Sequence, residues 1–288
     1  MIGGVVKKLL AVQAVVVLAT LWQPSVAARA TSAQVTKSVV SFVSGPRVLQ
    51  GYLYVPAGKG PFPAMLWNHG SEAKPTDQPD LADYYTRAGY VFFVPHRRGQ
   101  GLSPGPYIMD QIYPLFTEPA APYGQGLEVV RLLEEQNDDV VAALNWLKKQ
   151  PFVDRSRLFM SGASFGGIQT LLAAEKGLGL RGAIPFAPGA MSWENAQLAD
   201  RLIDATYRAK VPLFLIQASN DFGLGPSYVL TPIIAGRGGP NRAKLYPDFG
   251  AHDDHRSGHG RFAIRPGGIQ IWGSDVARFM HDCLEAKQ

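Results

Sequence analysis

The sequence predicts an α/β fold in which one mostly parallel sheet is covered by helices on both faces. Three observations predict it. Short, wholly apolar runs alternate with longer helical stretches, and a strand buried on both sides reads as such a continuous run. Hydrophobic residues make up 46% of the 288-residue chain and charged residues 18%, which supplies a sizeable core and argues against disorder. At the centre, Arg157-Leu158-Phe159-Met160-Ser161-Gly162-Ala163-Ser164-Phe165-Gly166-Gly167 passes from apolar strand through a sharp turn into a helix, with Ile168, Leu171 and Leu172 at helical spacing beyond it.

Residues 1–30 read as a secretory signal rather than as fold. Lys7 and Lys8 form a short basic region and Leu9 to Trp22 an apolar run. Ala28-Arg29-Ala30 offers a cleavage site, with Ser25-Val26-Ala27 as a second. A membrane anchor is the rival, but the run falls short of the roughly twenty residues a span needs. The expected product is therefore one domain, 31–288, secreted or periplasmic, with no stable membrane span after processing. Removing 1–30 takes away Lys7, Lys8 and Arg29, so the net charge falls from +5 to +2 and no basic cluster remains to suggest nucleic acid. The single cysteine, Cys283, shares helical spacing with Val276, Phe279 and Met280 and reads as a buried thiol without a disulfide partner.

Thr36 to Val43 and Arg47 to Val55 are β-rich runs around Ser44-Gly45-Pro46, an expected hairpin. Pro56 to Pro63 is a loop, Ala64 to Trp67 an apolar strand, Asp80 to Ala88 a helix closed by Gly89, and Tyr90 to Val94 a further strand. The segment 102–124, rich in proline, glycine and aromatics, is long for a connection and is expected to overhang a site and shape its pocket. Glu128 to Gln150 is helical, in two pieces with Asn137 capping the second. Beyond the central turn come strand Gly182 to Phe186, helix Trp193 to Ala209, strand Pro212 to Ala218, helix 227–235 and strand Ala243 to Tyr246. Residues 247–268 form a loop with three histidines, and Ser274 caps the final helix with Asp275 in its first turn. In such sheets a site gathers at the carboxyl ends of the strands. Asn68, His96, Ser164, Asp221 and the 247–268 loop all fall there.

Gly162-Ala163-Ser164-Phe165-Gly166 between strand and helix is a nucleophile-elbow pattern, in which a strained serine is lifted above the strand ends. A serine hydroxyl attacks a carbonyl only when a base accepts its proton and an acid orients that base. The chain order Ser164, Asp221, then a histidine of 252–259 supplies all three types. His259, flanked by Gly258 and Gly260, is preferred as the base and His252 is the alternative; Asp204 is the weaker rival to Asp221. The amides of Phe165 and Ser71 are the expected oxyanion hole. His69 comes before the serine, the wrong order for the base, and reads as a brace for its loop. His252, Asp253, Asp254, His255 and His259 also invite a metal reading, but they sit in a glycine-bearing loop that no helix holds in register, and no metal is expected.

Asn68-His69-Gly70, Arg98-Gly99-Gln100-Gly101-Leu102-Ser103, Gly162 to Gly167, Asp221 after its strand, and Gly258-His259-Gly260 before Ile271-Trp272-Gly273 together resemble the dienelactone-hydrolase-like branch of the α/β hydrolases, bordering the prolyl-oligopeptidase-type enzymes. The resemblance covers most of residues 31–288. It departs at two points: dienelactone hydrolases proper carry a cysteine where Ser164 stands, and Arg261 separates Gly260 from Phe262. It implies an α/β-hydrolase fold with a minimal lid, given the short insert between Ala190 and Pro212. It also implies a serine hydrolase that cleaves ester or related acyl bonds of a small substrate without a cofactor. A peptidase is the alternative within the class, and a hydrolase-like binding protein the alternative outside it.

Overall fold

The computed structural model describes residues 34–117 and 123–286; the expected signal at 1–30 lies outside them. The chain opens with the hairpin β1 (Thr36–Ser44) and β2 (Arg47–Val55), then runs β3 (Phe62–Asn68), α1 (Pro79–Arg87), β4 (Val91–Pro95), α2 (Ile108–Thr117) and α3 (Tyr123–Leu147). β5 (Val153–Ala163), α4 (Phe165–Ala174), β6 (Gly182–Phe186), α5 (Ala196–Arg208), β7 (Phe214–Ala218), α6 (Gly225–Gly236) and β8 (Arg242–Tyr246) follow. A π-helical turn (Ser257–Arg261), a short turn α7 (Phe262–Ile264) and α8 (Pro266–Glu285) close the chain.

The eight strands lie in the order β1-β2-β4-β3-β5-β6-β7-β8. β2 pairs antiparallel with β1 and β4, and all later pairs are parallel. This is the α/β-hydrolase fold. The apolar runs divide by alternation into two cores. Ala64 and Leu66 of β3, Val91 and Phe93 of β4, and Leu158 and Met160 of β5 meet α3, α4, α5 and α6. Met65 and Trp67, Phe92 and Val94, and Phe159 face the other way, against α1 and α8. Trp272 and Phe279 of α8 are fully buried there, and each such side chain contributes about 1.5–3 kcal/mol through burial. Cys283 joins this second core, where burial pushes its thiol up to about 12.

Three expectations are corrected. α3 is one continuous helix, not two pieces. Asn137, fully buried within it, donates to the backbone and side-chain oxygens of Gln169 at 2.9 and 2.8 Å, so its polarity serves the packing of α4 rather than a cap. Where a loop was expected, the described part of 102–124 holds a helix, α2, packed on α3; residues 118–122 lie outside the described residues. The final helix begins at Pro266, and Ser274 lies inside it; proline at the first helical position supplies the start that Ser274 was expected to give. Among the described residues no helix is long and apolar enough to cross a membrane.

Candidate active site

Ser164 leaves β5 with φ 58° and ψ −120°, a conformation that a residue with a side chain adopts only under constraint. The constraint is steric. A methyl group on Gly162 would lie 2.5 Å from the Gly166 oxygen and 2.6 Å from the Asn68 oxygen, and one on Gly166 would lie 1.9 Å from the Asn68 oxygen. The strand-to-helix crossing is therefore closed against every side chain, and the turn is pressed onto the end of β3. The Ser164 amide donates to the Phe186 oxygen at 3.0 Å and its carbonyl accepts from Ile168 at 3.0 Å. Phe165 is the first residue of α4, so its amide belongs to the N-terminal turn, where helix N–H groups have no partner within the helix and favour negative charge.

The loop after β3 lies beside this turn. A methyl on Gly70 would come 3.7 Å from the Ala163 oxygen. The loop is pinned by Arg97, a fully buried guanidinium that donates to the oxygens of His69 (2.9 Å) and Gly70 (2.6 Å) and to Gln136 Oε1 (3.0 Å). Burial lowers the Arg97 pKa to about 10. Gln100 adds a bond to the Glu72 oxygen at 2.8 Å, and the Tyr107 hydroxyl donates to the Ser71 oxygen at 2.5 Å. His69 is the brace the sequence suggested. Its Nδ1–H donates to the Gly70 oxygen at 3.0 Å, and Nε2 stands 3.4 Å from the Arg97 amide as acceptor. Burial, then the Arg97 charge, holds His69 far below the usual histidine range, and the same two causes lower His96 to about 4.

Asp221 follows β7. Its Oδ1 accepts the Phe222 amide at 2.6 Å and stands 2.7 Å from His259 Nδ1; its Oδ2 accepts from Gln217 at 2.9 Å. Gln217 is itself fixed, donating to the Gly223 oxygen at 2.7 Å and accepting from Ser227 at 2.6 Å. With Nδ1 protonated toward Asp221, His259 Nε2 carries the lone pair, and it is buried without a hydrogen-bond partner among the described residues. Ser164 and His259 line one cavity of about 680 Å³, together with Gly70, Ser71 and Glu72 from the loop after β3. Trp67, Ala163, Met191, Phe222 and Ile264 supply apolar walls and Arg256 a charge. A second cavity of about 300 Å³, carrying Trp193 and Glu194, shares Met191 and Phe222 with the first.

The structure thus brings Ser164, Phe165, Ser71, Asp221 and His259 to one end of the sheet and leaves the alternatives elsewhere. His252 is exposed and pairs with Asp248 at 2.5 Å, which raises its pKa. His255 donates to the Asn220 oxygen at 3.0 Å, and Asp204 pairs with Arg208 on α5. Among the described residues no cluster of three histidine, cysteine or acidic side chains is placed to hold a metal ion. The two glycines that flank His259 differ in kind. A methyl on Gly258 would strike Asn220 Oδ1 at 2.4 Å, whereas one on Gly260 would meet open space. No described residue of 102–124 lines the cavity, and among the described residues Tyr107 ties the segment to the loop of Ser71. Sequence reasoning missed Gln217, whose signal was a lone polar residue in an apolar strand. It also missed Arg97, hidden beside the Arg98-Gly99 motif.

The model of the X-Pro dipeptidyl-peptidase (S15) family matches residues 45–203. Dipeptidyl peptidase 4 of Porphyromonas gingivalis superposes with a TM-score of 0.61 at 19% identity, over 86% of this chain and 35% of that one. The Pyrococcus horikoshii acylaminoacyl peptidase gives 0.61 at 17%, over 88% and 43%. A dienelactone hydrolase of Anabaena variabilis gives 0.58 at 17%, over 86% and 98%. The chain therefore spans less than half the length of the two peptidases. A search of curated proteins found no match.

Proposed function

We propose a serine-hydrolase mechanism for this chain on the premise that it belongs to the X-Pro dipeptidyl-peptidase (S15) family. It is a hydrolase of peptidase or esterase type. The finer reading is that it cleaves ester or related acyl bonds of a small substrate through an acyl-enzyme. One observation carries this reading: His259 gives Nδ1–H to Asp221 and keeps a buried, unpartnered Nε2 in the same cavity as the strained Ser164.

In this reading Ser164 Oγ attacks the carbonyl carbon while its proton passes to His259 Nε2. Asp221 balances the imidazolium, and Gln217 and the Phe222 amide hold the carboxylate in place through their hydrogen bonds. The developing oxyanion is received by the amides of Phe165 and Ser71. The histidine then protonates the leaving group, and water repeats the sequence on the acyl-enzyme. No step requires a cofactor. Trp67, Met191, Phe222 and Ile264 suit an apolar acyl or leaving group, and the second cavity beyond Met191 and Phe222 offers room for extension.

The family match favours a second reading, hydrolysis of short peptides, since the same groups cleave amides. A series of p-nitrophenyl esters of graded acyl length, run beside X-Pro and aminoacyl p-nitroanilides, tests both. Ester turnover above anilide turnover supports the first reading, the reverse supports the second, and turnover of neither removes both. Export is part of the proposal. Mature protein should begin near Ala28 or Thr31, and an intact Met1 on membrane-bound material would show an anchor.

A further inference from the structure

We propose that Asn220 is the positioning residue that sets His259 against Asp221, an inference that rests on the triad reading above. The two partners of the 2.7 Å bond come from separate elements, Asp221 from the end of β7 and His259 from the turn beyond residue 256, thirty-eight positions apart. Something must fix one against the other, and the backbone of 247–254 contains no regular element to do it.

Asn220 stands next to Asp221 and is almost wholly buried. Its Nδ2 donates to the oxygens of Ala251 (2.9 Å) and Phe249 (3.1 Å), with the Asp254 oxygen at 3.4 Å. Its Oδ1 accepts the Phe249 amide at 3.0 Å, and its backbone oxygen accepts from His255 at 3.0 Å. Gly258, the residue before His259, is packed so closely on it that a methyl there would lie 2.4 Å from Oδ1. One side chain therefore ties down both ends of the loop that delivers the histidine. Because Asn220 and Asp221 share a peptide bond, the loop is referenced directly to the acid. A turn asparagine would bond its own neighbourhood two residues on; here the bonds reach 29 to 34 residues away.

Aspartate at this position keeps the size and the Oδ1 acceptor but turns an oxygen toward three carbonyl oxygens. Asn220→Asp should lower kcat by about 100-fold, the penalty expected for misplacing a catalytic group by about an ångström, with KM within about threefold. Phosphonate labelling of Ser164 should slow by a similar factor in protein whose circular dichroism is native. Gly258→Ala, which presses on the same contact from the other side, should show the same split and serves where Asn220→Asp fails to fold. The decisive arm is the His259→Ala background. If Asn220 acts through His259, Asn220→Asp costs nothing further there; a merely structural role would cost the same factor again. Equal losses in both backgrounds, or a kcat within threefold of the parent for both single variants, would overturn the proposal. Wild-type activity in His259→Ala alone would instead bring down the triad reading, and this inference with it.

Discussion

Ser164 and His259 line one cavity, yet they are held in opposite ways. The serine is fixed locally. Within five residues, two glycines and a strand end leave the backbone no alternative to φ 58°. The histidine is fixed at a distance, by Asp221, Asn220 and the Phe262 ring, which packs against Tyr246 and Phe249. In the proposed mechanism the nucleophile must be presented in one strained geometry, and sterics impose that cheaply. The base of that proposed mechanism must be matched to partners that follow another strand, and long-range hydrogen bonds and packing supply that.

The largest expected effect removes the local side outright. Ser164→Ala should lower kcat by roughly ten-thousand-fold or more on any good ester and leave the melting temperature unchanged. Retained activity with phosphonate labelling at another residue would show that the nucleophile lies elsewhere. On the distant side, His259→Ala should approach the same defect, since members of a triad fail as a unit. His252→Ala and His255→Ala should retain most activity. A dead His252→Ala beside an active His259→Ala would transfer the base role and sever it from Asp221.

The glycines sharpen the contrast. Gly166→Ala puts a methyl 1.9 Å from a backbone oxygen that cannot move away, and should cost about 1–3 kcal/mol or more, together with activity. Gly260→Ala, directly beside the histidine, meets open space and should stay within about 0.5 kcal/mol. Equal urea midpoints for the two variants would show that the elbow is not sterically closed.

A further effect concerns pH. His69 and His96 are buried neutral under the loop that carries Ser71. Their folded pKa values lie below the unfolded value of 6.5, so unfolding takes up protons. Stability is then full above that value and is lost as pH falls from 6.5 toward about 4 for His96, and His69 contributes in the same direction. The slope is about 1.4 kcal/mol per pH unit for each histidine. A urea midpoint that does not fall between pH 7 and pH 5 would mean that these rings are protonated in the folded protein.

The sequence by itself determined what depends on near neighbours. Apolar runs set the strands, and their alternation divided the two cores. Gly162, Ser164 and Gly166 set the elbow, because a clash within five residues does not depend on the rest of the fold. Chain order put forward Asp221 and a histidine in 252–259 as the acid and base candidates. The tertiary structure alone decided which histidine meets the acid. The glycine flanks favoured His259 and kept His252 as the alternative, and what separates them is the position of Asn220 and Asp221 just beyond β7. It alone decided that Arg97 clamps the loop of Ser71 and that Gln217 aims Asp221, since a buried polar side chain is interpretable only once its partners are known. The helix boundaries at Pro266 and across Asn137 went the same way: the local capping signal was present at Ser274 and at Asn137, and burial against the sheet and against Gln169 outweighed it.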